Sequence, residues 1–171
     1  HLVGGVYPTA APESCISHEL INCIGLGEGE HIILDVAEAV RCGKNYKRIN
    51  GIWFKENGEV IKNPRGPLVA INQGQEPDFS LFDESRFNRP MGGRIFRTVP
   101  IESYRGCPFT CTYCNSPMQV TLARDAELGN FLRTKKMNVL RDEIEHTVHL
   151  YDPEFLYFID DSFTARKKSD I

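Results

Sequence analysis

The clearest chemistry in this chain lies in one loop that contains three cysteines, Cys107, Cys111 and Cys114. Gaps of three and two residues separate them, so their thiolates can converge on a single inorganic centre. A cubane [4Fe–4S] cluster held by three thiolates keeps one iron open for another ligand. The spacing therefore predicts an iron–sulfur centre whose open iron can bind and activate a small molecule.

Other roles stay open for three cysteines in one loop. A structural zinc site needs a fourth Cys or His, and the nearest downstream candidates, His146 and His149, fall on a predicted helix. A ferredoxin-type electron carrier needs a fourth cysteine, and none follows Cys114. A disulfide framework is typical of small secreted chains, which this chain of 171 residues does not resemble. The structural zinc module and the iron–sulfur electron carrier therefore stand as alternatives outside the enzyme class.

The motif Cys-x-x-x-Cys-x-x-Cys, with the aromatic Tyr113 before its last cysteine, resembles the signature of the radical S-adenosylmethionine (SAM) superfamily. The resemblance implies that Cys107, Cys111 and Cys114 are the metal ligands and that the open iron binds the amino and carboxylate groups of SAM. In that superfamily, an electron from the cluster then cleaves SAM to a 5′-deoxyadenosyl radical. The resemblance also implies that Tyr113 lines the adenine of SAM.

The first part of the chain, residues 1–67, alternates strands, glycine loops and a helix. Leu2–Val6 is predicted to be the end of a strand that runs into a glycine turn, and Ile21–Ile24 a second short strand that runs into a glycine loop. A helix is predicted from about Glu30 to Cys42, and its inward face is predicted to carry Ile33, Val36, Ala37 and Val40. Asn57-Gly58 between two apolar runs predicts a β-hairpin. This order is typical of an open α/β sheet, whose ligands bind at the carboxyl ends of the strands.

The combination of Gly-Gly-x-x-Pro-Thr-Ala with Gly-Glu-Gly-Glu before a helix resembles the second half of the cobalamin-binding domain that precedes many radical SAM domains. In that family these loops wrap the nucleotide tail of cobalamin. Carried over by position, the resemblance implies that the cobalamin-binding residues are Gly4, Gly5, Pro8, Thr9, Gly27, Glu28 and Gly29. Glycine suits such a role because it lets a backbone N–H approach a phosphate or ribose without a Cβ in the way.

Residues 95–171 predict the first strand–helix–strand unit of a second α/β domain. A strand over Phe96–Ser103 leads into the cysteine loop, and a helix over Asn138–Tyr151 follows, with Asn138 as N-cap. The predicted apolar stripe of this helix consists of Leu140, Ile144, Val148 and Tyr151. The apolar strand Phe155–Ile159 is expected to be covered on both faces. Here the radical SAM resemblance implies a partial (β/α)6 barrel.

Asp160 and Asp161 follow this last strand, at the sheet edge where active sites of (β/α) barrels form. The Asp-Asp-Ser-Phe sequence resembles the cobalamin-type branch, in which this loop meets the amino group or ribose of SAM. Solvated loop acids or a helix N-cap are the alternatives for these carboxylates.

Other charged residues of this part are assigned no chemistry. The basic cluster before the helix, interpreted as solvated, consists of Arg133, Lys135 and Lys136. Glu143 in the helix is interpreted as structural. Cys15, Cys23 and Cys42 are expected to be reduced and mostly buried.

The predicted fold class is therefore α/β: the C-terminal half of a Rossmann-like cobalamin-binding domain over residues 1–67, then the first βαβ unit of a radical SAM barrel over residues 95–171. Residues 68–94 are interpreted as a turn-rich connector. Both ends read as cuts through folded domains, so we expect this segment by itself to be inactive in the native reaction.

Composition agrees with an enzyme of the cytoplasm. The hydrophobic content of 41% is sufficient for a core, and the net charge of −3 gives no signature of nucleic-acid binding. No run of apolar residues reaches the length of a membrane span.

The predicted function is that of a radical SAM enzyme that methylates an unactivated carbon with the help of cobalamin. An oxidative cyclase or rearrangement enzyme is the alternative within the class. The expected partners are a small-molecule or natural-product substrate and an electron donor such as flavodoxin or ferredoxin.

Overall fold

The computed structural model describes residues 1–73 and 76–165, which belong to two compact units. The first unit comprises His1–Val69 and Thr110–Phe131, and the second comprises Ala70–Phe109 and Leu132–Ile171. Residues 166–171 of the predicted third part lie outside the described residues. The boundaries predicted at 67/68 and 94/95 remain predictions.

The α-helices are α1 Val6–Ala10, α2 Pro12–Ser17, α3 Gly29–Arg41, α4 Ser116–Asp125 and α5 Met137–Tyr151. The strands are β1 Leu2–Val3, β2 Cys23–Gly25, β3 Ile52–Glu56, β4 Glu59–Lys62, β5 Asn88–Met91, β6 Arg94–Ile101, β7 Tyr104–Arg105, β8 Arg133–Thr134 and β9 Phe155–Phe158. No helix in the described part of the chain is both long and apolar enough to cross a membrane.

A four-stranded sheet in the order β1-β2-β3-β4 organises the first unit. β1 and β2 are parallel, and the other neighbours are antiparallel. The predicted hairpin joins β3 to β4 through Asn57 and Gly58, both at positive φ, as this type of tight turn requires. Two layers of buried side chains cover the sheet: one contains Cys15, Ile16, Ile24 and Leu26, and the other contains Ile32, Ile52 and Phe54.

The inward face predicted for α3 was wrong in part. Ile32 and Ala39 are the buried residues of α3, with Val36 half-buried, whereas Ala37 is exposed and Ile33 and Val40 are 56% and 63% exposed. Ile32, Ile33 and Leu34 are consecutive apolar residues, so the periodicity allows two rotations of the helix. Packing on Ile52 and Phe54 of β3 selects the rotation that buries Ile32. Cys42, which follows α3, is exposed rather than buried.

The second unit is built on the three-stranded sheet β5-β6-β9. β6 and β9 are parallel, with Thr98 opposite Phe155 and Ile101 opposite Phe158, so the predicted strand–helix–strand unit is confirmed. β5 pairs with β6 in an antiparallel hairpin through Gly92 and Gly93. The last residues of the stretch interpreted as a connector thus form a strand. Phe79 and Phe87 of that stretch pack against Tyr151 of α5.

The expectation that β9 is covered on both faces is not met among the described residues. Leu156 and Phe158 are half-buried, but Phe155 and Tyr157 on the opposite face are 46% and 50% exposed. Successive side chains of a strand point to opposite faces, so Leu156 and Phe158 share one face of β9 and Phe155 and Tyr157 share the other. An all-apolar strand indicates two faces that can be covered, and the described residues cover only one of them.

Three details of α5 and of the residues just before it correct the sequence prediction. The N-cap is Lys136 instead of Asn138, since helical geometry already begins at Met137. The buried face contains Leu140, Glu143 and Thr147, while Val148 of the predicted stripe is 44% exposed. Lys135, expected in a solvated cluster, is 9% exposed and forms an ion pair with Glu143. A polar pair can occupy a core position when both charges are satisfied together.

Candidate functional site

The glycines predicted to bind a ligand lie around one groove in the first unit. Gly4 and Gly5 follow β1, while Gly27 and Gly29 follow β2. All four line a groove of about 190 Å³, together with Leu2, Gly25, Ile32 and Ile33. β1 and β2 are parallel neighbours, so their carboxyl ends open at the same edge of the sheet. The structure therefore brings the two glycine loops together where open α/β sheets bind ligands.

Backbone space at these glycines is open. A Cβ built on Gly4, Gly5, Gly27 or Gly29 meets no atom within 4 Å. Gly27 has a φ of +89°, which side-chain-bearing residues rarely adopt, so its loop conformation depends on glycine. The groove is therefore bordered by bare backbone that a ligand can approach closely.

Thr9 joins the two glycine loops. Its hydroxyl donates to the carbonyl oxygen of Gly5 at 2.7 Å and accepts from the N–H of Gly27 at 2.9 Å. Thr9 is 4% exposed, and the guanidinium of Arg65 donates to its carbonyl oxygen at 3.1 Å. Burial lowers the pKa of Arg65. Thr9 thus connects the two glycine loops through its buried hydroxyl, a role that its position in the sequence motif did not reveal.

We expect Thr9→Val to lower the free energy of unfolding by about 1–3 kcal/mol, because valine has the shape of threonine but leaves the Gly27 N–H without this acceptor. Chemical denaturation followed by Trp53 fluorescence measures the loss in the sheet that Thr9 supports. Thr9→Ser keeps the hydroxyl and is the matched control. Equal losses in the two variants would show that packing of the methyl group, not the hydroxyl bridge, is what matters.

The remaining residues carried over for cobalamin do not line the glycine groove. Pro8 is fully buried in α1. The carboxylate of Glu28 accepts from the N–H of Val69 at 2.5 Å, and Glu28 borders two other cavities of the first unit. Pro8 and Glu28 thus support the loops, and Gly4, Gly5, Gly27 and Gly29 form the accessible wall.

The cysteine loop follows β7 and runs into α4. Cys111 and Cys114 are exposed, Cys107 is half-buried, and all three are free thiols. The backbone N–H of Cys114 donates to the carbonyl oxygen of Cys111 at 3.2 Å, which closes a tight turn. The boundary between the compact units passes through the loop, between Phe109 and Thr110. Within the described ranges, no three His, Cys, Asp or Glu side chains already form a metal-binding group.

The start of α4 lies directly behind Cys114. The N–H of Ser116 points to Cys114 Sγ at 3.5 Å, and backbone N–H groups at a helix N-terminus favour negative charge on a sulfur. Ser116 Oγ is buried and has no hydrogen-bond partner among the described residues. Helix α4 was missed by sequence reasoning, although Pro117 in its first turn is a known start signal.

Tyr113 is 92% exposed and lies between Cys111 and Cys114 in the sequence. Its hydrogen bond with Cys111 raises the pKa of the Tyr113 phenol, and the charge of Cys111 acts in the same direction. An exposed aromatic ring in the cysteine loop can stack on a planar group such as adenine. The role of Tyr113 beside the adenine of SAM stays a prediction.

The histidines considered for a zinc site lie on α5. His146 and His149 are both exposed, and His146 Nε2 lies 3.0 Å from the carboxylate of Glu76. His146 therefore already has an acidic partner within the second unit.

Asp160 and Asp161 behave differently in the structure. The Asp160 carboxylate accepts hydrogen bonds from the Ser103 N–H at 2.7 Å, the Ser103 hydroxyl at 2.5 Å and the Tyr104 N–H at 2.9 Å. Asp161 is exposed. Both lie beyond the carboxyl end of β9, as predicted, but Asp160 faces the chain segment that leads into the cysteine loop. Sequence reasoning did not identify Ser103 as its partner.

No protein-family model matches this chain. Among curated proteins, it is 28% identical over 172 residues to an uncharacterized methyltransferase of Pyrococcus horikoshii, covering 99% of this chain and 35% of the relative. It is 29% identical to the anaerobic magnesium-protoporphyrin IX monomethyl ester cyclase of Rubrivivax gelatinosus, covering 99% of this chain and 30% of that protein. The chain thus spans about a third of the length of these curated relatives.

Solved structures agree in fold. OxsB, a cobalamin-dependent S-adenosylmethionine radical enzyme determined with aqua-cobalamin and S-adenosylmethionine, superimposes with a TM-score of 0.64 at 23% identity, over 99% of this chain and 22% of OxsB. TsrM of Kitasatospora setae, a radical S-adenosylmethionine methyltransferase determined with cobalamin and a [4Fe–4S] cluster, gives a TM-score of 0.58 at 18% identity, over 95% of this chain and 30% of TsrM. These comparisons confirm the α/β fold and the resemblance in fold to cobalamin-binding radical SAM proteins, and the two curated relatives carry the names of a methyltransferase and a cyclase.

Proposed function

We propose that this chain is part of a radical SAM enzyme that methylates an unactivated carbon of a small-molecule or natural-product substrate. The observation that carries the proposal is the position of the cysteine loop. It follows the carboxyl end of β6, the first strand of a parallel β6–β9 pair, and active sites of barrels built from such units form at that end. The glycine groove occupies the corresponding end of the parallel β1–β2 pair.

The donor set of the loop fits an iron–sulfur cluster. Three free thiols lie between Cys107 and Cys114 and none is fully buried, so each can reach an inorganic centre as a thiolate. The Ser116 N–H beside Cys114 Sγ adds a donor of the kind that stabilises sulfur ligands of clusters. Three ligands also leave one iron for SAM.

The glycine groove fits part of a cobalamin. Gly4, Gly5, Gly27 and Gly29 present backbone in open space, and Thr9 holds their two loops together. A phosphate or ribose can approach such backbone N–H groups directly. When bound, the cluster and SAM supply a 5′-deoxyadenosyl radical that abstracts hydrogen, and cobalamin supplies a carrier for the methyl group.

In that reaction the residues of this chain hold and orient the cofactors. Cys107, Cys111 and Cys114 hold the cluster, and Tyr113 gives the adenine of SAM an aromatic surface. The glycine loops orient the tail of cobalamin. Placement of the reacting groups and exclusion of water and oxygen are what the protein contributes.

The proposal is tested with the intact protein, reconstituted anaerobically with iron and sulfide. Iron per chain, formation of 5′-deoxyadenosine from SAM with a strong reductant, and visible absorbance after desalting from hydroxocobalamin are measured. We expect a cluster, SAM cleavage and retained cobalamin. Tight zinc without iron would favour the structural zinc module, and a cluster without SAM cleavage would favour the electron carrier.

We expect Gly4→Val and Gly29→Val each to reduce cobalamin retention at least about tenfold. The valine side chain occupies space that the ligand needs beside the backbone, and such overpacking weakens the binding free energy by about 1–3 kcal/mol. Neither position has a positive φ, and neither Cβ meets an atom within 4 Å, so the fold should tolerate both changes. Ala37→Val, on the exposed face of α3, is the matched control. Full retention in both glycine variants would place cobalamin elsewhere.

Oxidative cyclisation or rearrangement is the second candidate reaction, because one relative is an anaerobic cyclase. Product analysis with a methyl-labelled SAM separates the two: a methyltransferase moves the label into product, and a cyclase does not. For either reaction we propose a flavodoxin or ferredoxin as electron donor and the reducing cytoplasm as the location, in agreement with the free thiols.

A further inference from the structure

One carboxylate connects the carboxyl ends of the two parallel strands in the second unit. The last ladder bond between β6 and β9 runs from the Ile159 N–H to the Ile101 carbonyl oxygen at 3.0 Å. Asp160, the next residue, continues this connection with its side chain. Its Oδ1 accepts from the N–H groups of Ser103 and Tyr104, and its Oδ2 accepts from the Ser103 hydroxyl. The two strands are thereby joined beyond the point where their backbones stop pairing.

The segment that Asp160 holds is the entry to the cysteine loop. Tyr104 and Arg105 form β7, Gly106 follows with a φ of +93°, and Cys107 comes next. Ser103 is fully buried. Its carbonyl oxygen also accepts from the Lys135 N–H at 3.0 Å, so contacts from two directions fix its position. A displacement of Ser103 would therefore be transmitted along a short chain to Cys107.

The geometry of the Asp160 carboxylate favours a role toward the protein over a role toward SAM. Both of its oxygens are occupied by donors of the β6–β7 segment. Hydrogen bonds from N–H and O–H groups to an ionised carboxylate are among the strong ones in proteins, so this junction is well suited to remain fixed. Asp161 is exposed and remains the candidate for a contact with SAM.

We propose that Asp160 is a positioning residue, which holds the Ser103–Tyr104 junction and thereby sets the start of the cysteine loop. For its activity readouts this inference rests on the proposed function. The contact itself is a property of the folded chain and has its own measurement. Asp161 and Asp160 then have separate roles, although they are adjacent and chemically identical.

The test uses the intact protein with four variants: Asp160→Ala, Ser103→Ala, the double variant, and Asp161→Ala as matched control. Four quantities are measured in each: amide exchange over the Ser103–Tyr104 segment, iron per chain after anaerobic reconstitution, and kcat and KM for SAM in 5′-deoxyadenosine formation. Asp160→Asn is added in case Asp160→Ala folds poorly, since it keeps the shape and removes the charge.

In Asp160→Ala we expect amide exchange at Ser103 and Tyr104 to be at least about tenfold faster, because charge-assisted hydrogen bonds are lost there. Iron per chain and kcat should fall while KM for SAM is unchanged, and Asp161→Ala should keep wild-type exchange and iron. Ser103→Ala should act in the same direction, and the double variant should be no worse than Asp160→Ala, because the two residues act through one contact.

Unchanged exchange and iron with a raised KM for SAM in Asp160→Ala would overturn the inference, and would make Asp160 a direct SAM ligand. Additive effects of the Asp160 and Ser103 changes would overturn it as well. If the wild type assembles no cluster, the proposed function fails, and the exchange measurement still decides whether Asp160 holds the junction.

Discussion

Replacement of Cys111 by alanine is expected to abolish cluster binding and to reduce SAM cleavage by at least about a thousandfold, since the cluster proposed here would lose one of its three thiolates and with it the chemistry that it supplies. Cys111 is the middle cysteine of the motif and is exposed, so alanine at this position removes a ligand without leaving a cavity in the core. Iron per chain, the visible spectrum of the anaerobically reconstituted intact protein, and 5′-deoxyadenosine formation are the measurements.

Cys42→Ala is the matched control for this change. Cys42 is also an exposed free thiol, but it lies at the end of α3 and outside the motif. We expect this variant to keep the iron content and SAM cleavage of the wild type. A Cys111→Ala protein with full iron and full cleavage would disprove the ligand assignment. A loss of iron in Cys42→Ala as large as in Cys111→Ala would show that iron uptake depends on thiols in general and not on the motif.

The second large effect is expected at Glu143, on the buried face of α5. Its carboxylate pairs with Lys135 Nζ at 2.5 Å, and the two side chains are only 6% and 10% exposed. In Glu143→Ala the Lys135 ammonium stays buried but loses its carboxylate partner. Breaking such a pair from one side costs about 3–5 kcal/mol, because the remaining charge keeps its desolvation penalty. The midpoint of chemical denaturation of the intact protein measures this loss.

Glu145→Ala is the matched control on the same helix. The Glu145 side chain is 70% exposed and lies 3.8 Å from Arg141, so its removal should change stability by no more than about 0.5 kcal/mol. Replacing both partners, with Lys135→Met and Glu143→Leu, should recover most of the loss, because no charge then remains buried. If Glu143→Ala were as mild as Glu145→Ala, the pair would not be buried in solution as it is in the structure.

Local signals determined the parts of this protein that depend on residues close together in the chain. Cysteine spacing predicted a ligand set of Cys107, Cys111 and Cys114, because thiolates that are close together in the sequence can converge on one centre, and this ligand set stays a prediction. Asn57-Gly58 identified the hairpin, because only a few residue types tolerate two successive positive φ values. The apolar run at Phe155 identified β9, and the parallel β6–β9 pairing followed from a helix between two strands.

Faces of helices were harder to derive. In α3, three consecutive apolar residues beginning at Ile32 made two rotations equally periodic, and β3 selected one of them through packing. In α5, the buried face includes Glu143, which a hydrophobic pattern excludes from the core. Its burial depends on Lys135, which precedes the helix and pairs with it only in the folded chain.

The sequence alone therefore determined the α/β class, and it predicted the chemistry proposed for the cysteine loop and the glycine loops, because each depends on residue types at short spacing. Only the tertiary structure decided how these parts are supported. Thr9 meets Gly27 across two loops, and Asp160 meets Ser103 across two parallel strands. Contacts of this kind join positions far apart in the chain, and hydrogen-bonding side chains at such positions leave no periodic signal. The fold has to bring the strand ends together before these residues can be recognised as partners.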